Sequence, residues 1–316
     1  MSVALPSIVS NATATTAVVG NAGSNFWLFN PSAGWDLTHQ PPPEWPPATP
    51  QPPARRLTLT TTTAPVTVDP DKTALIVIDM QNFFLSPAMG RARGPGHAAE
   101  ETLLSTGLPA AREAGIRVVH VTWGITDEEL AVLPPVIFRI FGYKETPAEG
   151  EDDRFTEKKG AKDVGRDLGT VKFPDGTAVA AGRTLMRDQW NTALYGGLQK
   201  SFDDSQGTAM PQVRFHKNRL SGFWGGSNDL IEYLKEQKIT TLLFAGVNTD
   251  QCVLASIQDA CNLGFDTILL KDGCGTGSPD YTRQMVEFNA RKSWGFVSSC
   301  KELADGVKAT RQTASL

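Results

Sequence analysis

From residue 73 onward the chain alternates short, unbroken apolar runs with stretches of helical spacing. The apolar runs are TALIVID (73–79), IRVVHVTW (116–123), VRFHK (213–217), TTLLFAG (240–246), FDTILLKD (265–272) and GFVSS (295–299). They are rich in β-branched residues, and such runs predict strands buried on both faces. Between them, AAEETLLSTGLPAAREAG (98–115) has helical spacing, with a break or kink expected at its internal Gly-Leu-Pro. GSNDLIEYLKEQ predicts a helix capped by Ser227 or Asn228, and DQCVLASIQDACNLG one that closes on Gly264. PDYTRQMVEFNARK predicts one more. Strand following helix in this order calls for a three-layer α/β/α fold around a mostly parallel sheet.

Two regions break the alternation. Residues 1–66 form a proline-rich arm that includes HQPPPEWPPATPQPPARR. Its Phe26, Trp27, Phe29, Trp35 and Trp45 are more aromatic than a disordered tail usually is, so docking on the body or on a neighbouring subunit is expected. LTLTTTTAPVTV within and just after it is expected to add an edge strand. Residues 67–316 make the main domain, interrupted at about 124–211 by a Gly-, Asp- and Lys-rich stretch read as an inserted lid or subunit contact rather than core.

Composition narrows the setting. The 316 residues are 40% apolar and 20% charged, with a formal net charge of −4 and no long run of one sign, which points away from nucleic acid and anionic membranes. No apolar stretch approaches the ~20 residues of a membrane helix. The N-terminal residues lack the basic flank of a signal peptide, and Asn11-Ala12-Thr13 is a single sequon match close to chance. Cys252, Cys261, Cys274 and Cys300 include no C-x-x-C pair, so a cytoplasmic protein is expected. The aromatic arm and insert lead to an expected homo-oligomer, a dimer or tetramer.

Chemistry in such folds gathers at the carboxyl ends of the strands, and three polar residues stand there: Asp79, Lys217 and Cys252. Cys252 sits where a strand gives way to a helix. It is either a packed thiol or a nucleophile whose pKa the helix start lowers. Asp79 is either a solvated or capping carboxylate or a base for a thiol, and Lys217 either a surface lysine or a cation that holds such a pair together.

The segments VIDMQN, HKNRLSGF and GVNTDQCV, carrying Asp79, Lys217 and Cys252 in turn, resemble the three signatures of the isochorismatase-like cysteine hydrolases. The resemblance covers roughly 70–300 apart from much of 124–190. It implies an Asp79–Lys217–Cys252 triad, a cis peptide between Val247 and Asn248, and an oxyanion hole formed by the Asn248 and Cys252 N–H groups. It also implies hydrolysis of a C–N bond in a small linear amide, ureide or carbamoyl compound. K-x-R-x-S-G-F and Trp190-Asn191 are most like the ureidoacrylate and carbamoyl branch. Phe83 stands where the family often has aspartate. Two alternatives are an isochorismatase-type vinyl ether hydrolase, in which Asp79 is the key acid and Cys252 is dispensable, and a non-catalytic assembly protein.

Gln81, Trp123, Phe223 and Trp224 are candidate substrate-binding residues. Each has a plainer reading, as a surface turn residue for Gln81 and as core packing for the aromatics. GCGTGS (273–278) lacks a Walker lysine and is read as a loop shaping the site edge. The four histidines form no spaced cluster, and the nicotinamidase D-x-H motif does not occur. No metal and no cofactor are therefore expected.

Overall fold

The described part of the arm contributes strands of its own. The computed structural model describes residues 16–21, 25–41, 52–142 and 163–314. Trp45 and the sequon lie outside the described residues. The arm supplies β1 (Ala17–Asn21), β2 (Asn25–Asn30), β3 (Gly34–Asp36) and β4 (Leu57–Leu59), and β5 (Val66–Val68) follows at its junction with the domain. These strands form their own sheet in the order β1-β2-β3-β5-β4. The segment expected to edge the main sheet is therefore a β4–β5 pair within this smaller one, with Leu57 opposite Val68. Leu57, Leu59, Val66 and Val68 are buried, and that apolar face is what draws the pair onto the body.

The domain then runs through β6 (Thr73–Ile78), α1 (Asn82–Leu85), α2 (Pro95–Thr102), α3 (Leu108–Ala114) and β7 (Arg117–Trp123). Next come α4 (Asp127–Ala131), α5 (Pro135–Phe141), β8 (Thr170–Lys172), β9 (Ala178–Ala180) and α6 (Gly196–Ser205). The last part comprises β10 (Val213–Lys217), α7 (Asp229–Glu236), β11 (Thr241–Val247), α8 (Leu254–Asn262), β12 (Asp266–Gly275), α9 (Asp280–Asn289), β13 (Phe296–Ser298) and α10 (Cys300–Ala314).

The central sheet is parallel throughout, in the order β10-β7-β6-β11-β12-β13. Alternate residues face opposite layers, as the two-residue period requires. Ile76 and Ile78 pack with Leu230, Ile231, Ile257 and Val286 from α7, α8 and α9. Leu75 and Val77 pack with Ala111, Leu198 and Leu303 from α3, α6 and α10, and with the β4–β5 face. Each fully buried aliphatic side chain contributes about 1.5–3 kcal/mol. Both faces are covered, as the sequence predicts.

The Gly-Leu-Pro segment neither breaks nor ends its helix. A wide turn over Leu103–Gly107 links α2 to α3, and Pro109 falls in the first turn of α3, where a missing N–H is tolerated. The 124–211 stretch corrects a larger expectation. Leu133, Ile137, Val164, Ala181, Leu185 and Met186 are buried in the same cluster as the sheet, so its described residues contribute to the core. These residues sit on turns and short elements, which leaves no periodicity to read. Buried Asn191 fastens the turns by donating to the carbonyls of Ala181 and Arg183 and accepting from Leu185 N–H.

The arm is docked on the body. Trp27 and Trp35 pack on Phe296, and Trp27 Nε1 donates to Asp266 at 2.6 Å. Among the described residues no helix is long and apolar enough to cross a membrane.

Candidate active site

The strand order fixes where a site belongs. From β6 the chain moves outward through β7 to β10, then returns to the other side of β6 with β11 and continues to β12 and β13. The order reverses between β6 and β11, and the crevice at the carboxyl ends of such a pair is where ligands bind in open α/β sheets. Asp79 follows β6, and Cys252 lies in a wide turn, Thr249–Val253, between β11 and α8. Lys217 ends β10, two strands from β6, and reaches back over β7.

The three side chains meet. Lys217 Nζ lies 3.0 Å from Asp79 Oδ2 and 3.4 Å from Cys252 Sγ. It also donates to the Arg219 carbonyl at 3.0 Å and sits 4.0 Å above the Trp123 ring centroid. A cation over an indole face is attracted by the ring's quadrupole, so Trp123 forms the floor across which Lys217 extends. Asp79, Lys217, Cys252 and Trp123 are all buried.

The backbone holds Asp79 in an unusual setting. Its φ is +51°, a left-handed conformation, and its N–H donates to Val121 O at the end of β7. Next to it Gly246 has φ +119°, and a Cβ there would overlap the Ile78 carbonyl. Glycine thus lets β11 close on β6 at the point where both deliver their polar residues. The Val247–Asn248 peptide is cis.

Burial dominates the protonation chemistry. It pushes the Asp79 carboxyl above its ordinary range, and the charge of Lys217 and the Cys252 thiol pull against this without cancelling it. Burial also pushes the Cys252 thiol up to about 12, with Lys217 opposing and Asp79 reinforcing the rise. The expectation that a helix start lowers this thiol is therefore not met: desolvation disfavours the thiolate more strongly. Both shifts disfavour the anionic forms in this buried site, and the Lys217 charge opposes both. Neither Asp79 oxygen has a well-aligned hydrogen bond among the described residues, so the carboxylate keeps acceptor capacity for a further proton.

The other candidates fall in different places. Gln81 is buried, and its amide is engaged with backbone: Nε2 donates to Trp123 O and Thr192 O, each at 2.8 Å, and Oε1 accepts from Trp123 N. It fixes the end of β7 and so the indole under Lys217. Trp123 Nε1 lacks a well-aligned partner, yet it lies near enough to Cys252 to favour the thiolate. Phe223 packs in the core against Phe244 and Phe265. Trp224 is on the surface beneath the Arg219 guanidinium.

A cavity of about 740 Å³ is lined by Val247, Asn248 and Gln251, which lead into Cys252 along the chain, and by Phe83, Phe84, Arg91, His97 and Phe141 among others. Asp79, Lys217 and Cys252 themselves are not among its lining residues. Phe223 and Trp224 do not line it. The sequence reading did not single out Phe84, Arg91, His97 or Phe141. Their position after β6 and in the apolar run PVIFRIF (135–141) was the available signal. The histidines are dispersed on separate partners: His39 on Asp266, His97 on the Leu85 carbonyl, and His120 on Gln212. Among the described residues no three His, Cys, Asp or Glu side chains cluster to hold a metal.

The profile of the isochorismatase domain matches residues 73–301, which span the entire central sheet and include Asp79, Lys217 and Cys252. The chain belongs to the isochorismatase family. Among curated relatives, the ureidoacrylate amidohydrolase RutB of Caulobacter vibrioides (strain ATCC 19089 / CIP 103742 / CB 15) is 27% identical over 239 residues, covering 74% of this chain and 91% of the relative. RutB of Rhizobium rhizogenes is 26% identical over 273 residues, covering 84% and 95%. Of solved structures, a cysteine hydrolase from Pseudomonas syringae pv. phaseolicola aligns with a TM-score of 0.53 at 16% identity, covering 83% of this chain and all of that one. An isochorismatase family protein from Desulfovibrio vulgaris aligns with a TM-score of 0.50 at 18% identity, covering 75% and 98%. These two likenesses concern the fold. With the domain match they make the chain an isochorismatase-family hydrolase built on a central parallel sheet.

Proposed function

We propose that this hydrolase cleaves a C–N bond in a small linear amide, ureide or carbamoyl compound, with Cys252 as nucleophile, Asp79 as proton carrier and Lys217 as the cation that holds them together. The observation that carries the reading is the meeting of the three side chains at the reversal point of the sheet. The relatives named as ureidoacrylate amidohydrolases favour a ureide within that class.

A thiol at about 12 does not ionise at neutral pH on its own. Its proton therefore moves to Asp79 as Sγ attacks the carbonyl carbon, and the C=O π pair becomes an oxyanion. The N–H groups of Asn248 and Cys252 receive that oxyanion. Collapse re-forms the C=O bond and breaks the C–N bond, and Asp79 gives its proton to the departing nitrogen. A thioester and ammonia or an amine result. A water then attacks the thioester, its proton passing to Asp79 and on to the leaving sulfur. Lys217 offsets the negative charge wherever it resides in this cycle, and removing such proton carriage typically costs 10²–10⁴-fold. No cofactor enters these steps.

The test is ammonia release across ureides, carbamates and small primary amides, with Cys252→Ala as the blank and Cys252→Ser beside it. Both variants are expected to lose turnover while retaining the fold by circular dichroism. Full activity in the alanine variant would overturn the mechanism and favour vinyl ether hydrolysis with Asp79 as acid. A cytoplasmic setting and a dimer or tetramer belong to the same proposal. The exposed Tyr281, Met285 and Phe288 on α9 support assembly, and gel filtration checks it.

A further inference from the structure

Among the described residues Arg91 is the only one lining the 740 Å³ cavity with a permanent charge, and no carboxylate lines it. Its Nε donates to the Phe83 carbonyl at 3.0 Å, and its guanidinium carbon lies 5.3 Å from the Phe83 ring centroid. These contacts anchor the stem and one edge of the fork. Among the described residues the two terminal nitrogens carry no ion pair, whereas Arg93, two residues on, is paired with Glu101. The guanidinium is half-buried, and burial weakens its hold on its charge, a cost that an anion in the cavity would offset. Around it stand Phe83, Phe84, Ile140 and Phe141, and Asn248 faces the same space four residues before Cys252.

An arginine left with a free fork in a cavity matches a carboxylate in bidentate geometry. One such charge among aromatic walls suits a monoanion on a flat body better than a phosphate, which usually meets several cations. Resting on the C–N hydrolase reading, we propose that Arg91 is the residue that selects the substrate, binding a carboxylate carried at the end of the molecule remote from the scissile carbonyl. The ligand class is then a short amide, ureide or carbamate bearing a carboxylate, whose body lies between Phe83 and Phe141.

Two measurements test this. The first compares N-carbamoyl-β-alanine with its methyl ester, and further carboxylate–ester pairs of short ureides, in wild type and in Arg91→Gln and Arg91→Lys. The wild type is expected to favour the acid at least tenfold in kcat/KM, mainly through KM. Arg91→Gln is expected to lower that preference at least tenfold, and Arg91→Lys to lower it less. An equal preference in wild type and Arg91→Gln would overturn the proposal. The second measures binding of the same acid and ester by calorimetry to Cys252→Ala, with and without Arg91→Gln, and needs no turnover. Acid binding that depends on Arg91, in a protein that hydrolyses none of the pairs, would uphold the anion subsite and sink the C–N hydrolase reading. Acid and ester bound alike by Cys252→Ala would overturn the subsite whatever the chemistry.

Discussion

Two buried aspartates sit at opposite ends of the central sheet, and their surroundings differ in a way that separates structure from chemistry. Asp266 begins β12. Its Oδ1 accepts from Trp27 Nε1 at 2.6 Å, and its Oδ2 meets His39 Nε2 at 2.7 Å and Thr241 Oγ1 at 3.1 Å. Asp79 follows the end of β6, with a lysine at 3.0 Å and no well-aligned hydrogen bond to either oxygen among the described residues. A carboxylate whose lone pairs are filled by fixed donors is a clamp, because protonation would have to displace them. A carboxylate faced by a cation and a thiol, with lone pairs to spare, is arranged to exchange a proton. Burial is common to both; satisfaction of the oxygens distinguishes them.

The sharpest way to break this comparison is Asp79→Asn. It keeps the shape and removes the proton acceptor, so kcat/KM is expected to fall about 10²–10⁴-fold on whatever substrate the screen yields. The same change removes the charge by which Asp79 raises the Cys252 thiol. The thiol pKa is therefore expected to drop from about 12, read as alkylation rate against pH. A variant with wild-type turnover, or an unmoved thiol, would make Asp79 a second clamp.

Asp266→Ala should do the reverse. It leaves Trp27, His39 and Thr241 without their shared acceptor, and hydrogen bonds to a charged group are worth about 1.5–3 kcal/mol each. We expect a loss of about 2–4 kcal/mol in urea unfolding, within the range for a broken buried network. Tryptophan fluorescence should report release of Trp27 from Phe296. The proposed catalytic residues stand at the other ends of the strands, so kcat/KM in the folded protein should change less than twofold. A large loss of activity at unchanged stability would erase the distinction between the two aspartates.

The sequence made one of these residues legible and hid the other. Asp79, Lys217 and Cys252 each end an apolar run, and local pattern is enough to put them at strand ends. Their meeting depended on strand order, which no run reveals: Lys217 crosses β7 only because β10 lies beside it. Asp266 sits within FDTILLKD like any strand residue, and its importance comes from Trp27 and His39, more than two hundred positions away in the arm. The arm's docking was readable from its aromatics, but its own five-stranded sheet was not, because strands of three residues carry too little pattern. Phe223 and Trp224, adjacent in sequence, part ways in the fold. Nearness to Lys217 in sequence suggested the pocket, yet the turn after β10 carries one into the core and the other to the surface. Arg91 escaped notice in a Gly-rich loop, where neither periodicity nor motif marks a cavity wall.

The smallest predicted effect concerns pH, and it takes opposite signs in activity and stability. Asp79 must be ionised to accept the thiol proton, and its folded pKa is raised above the usual value of 3.8. The acid limb of kcat/KM should therefore have its midpoint above 3.8, with activity rising as pH rises through the folded value. For stability, a raised folded pKa means that the native state binds the proton more tightly than the unfolded chain does. Its contribution is fully present below the unfolded pKa and is lost as pH rises through the folded one. Wild type and Asp79→Asn should be unfolded in urea across that window, because the difference between them isolates this one group from the other carboxylates. The wild type should lose stability relative to the variant with rising pH over the interval in which it gains activity. Parallel stability curves, together with an acid limb at an ordinary carboxylate value, would mean that Asp79 is solvated in solution and that its burial does not set the pH of the reaction.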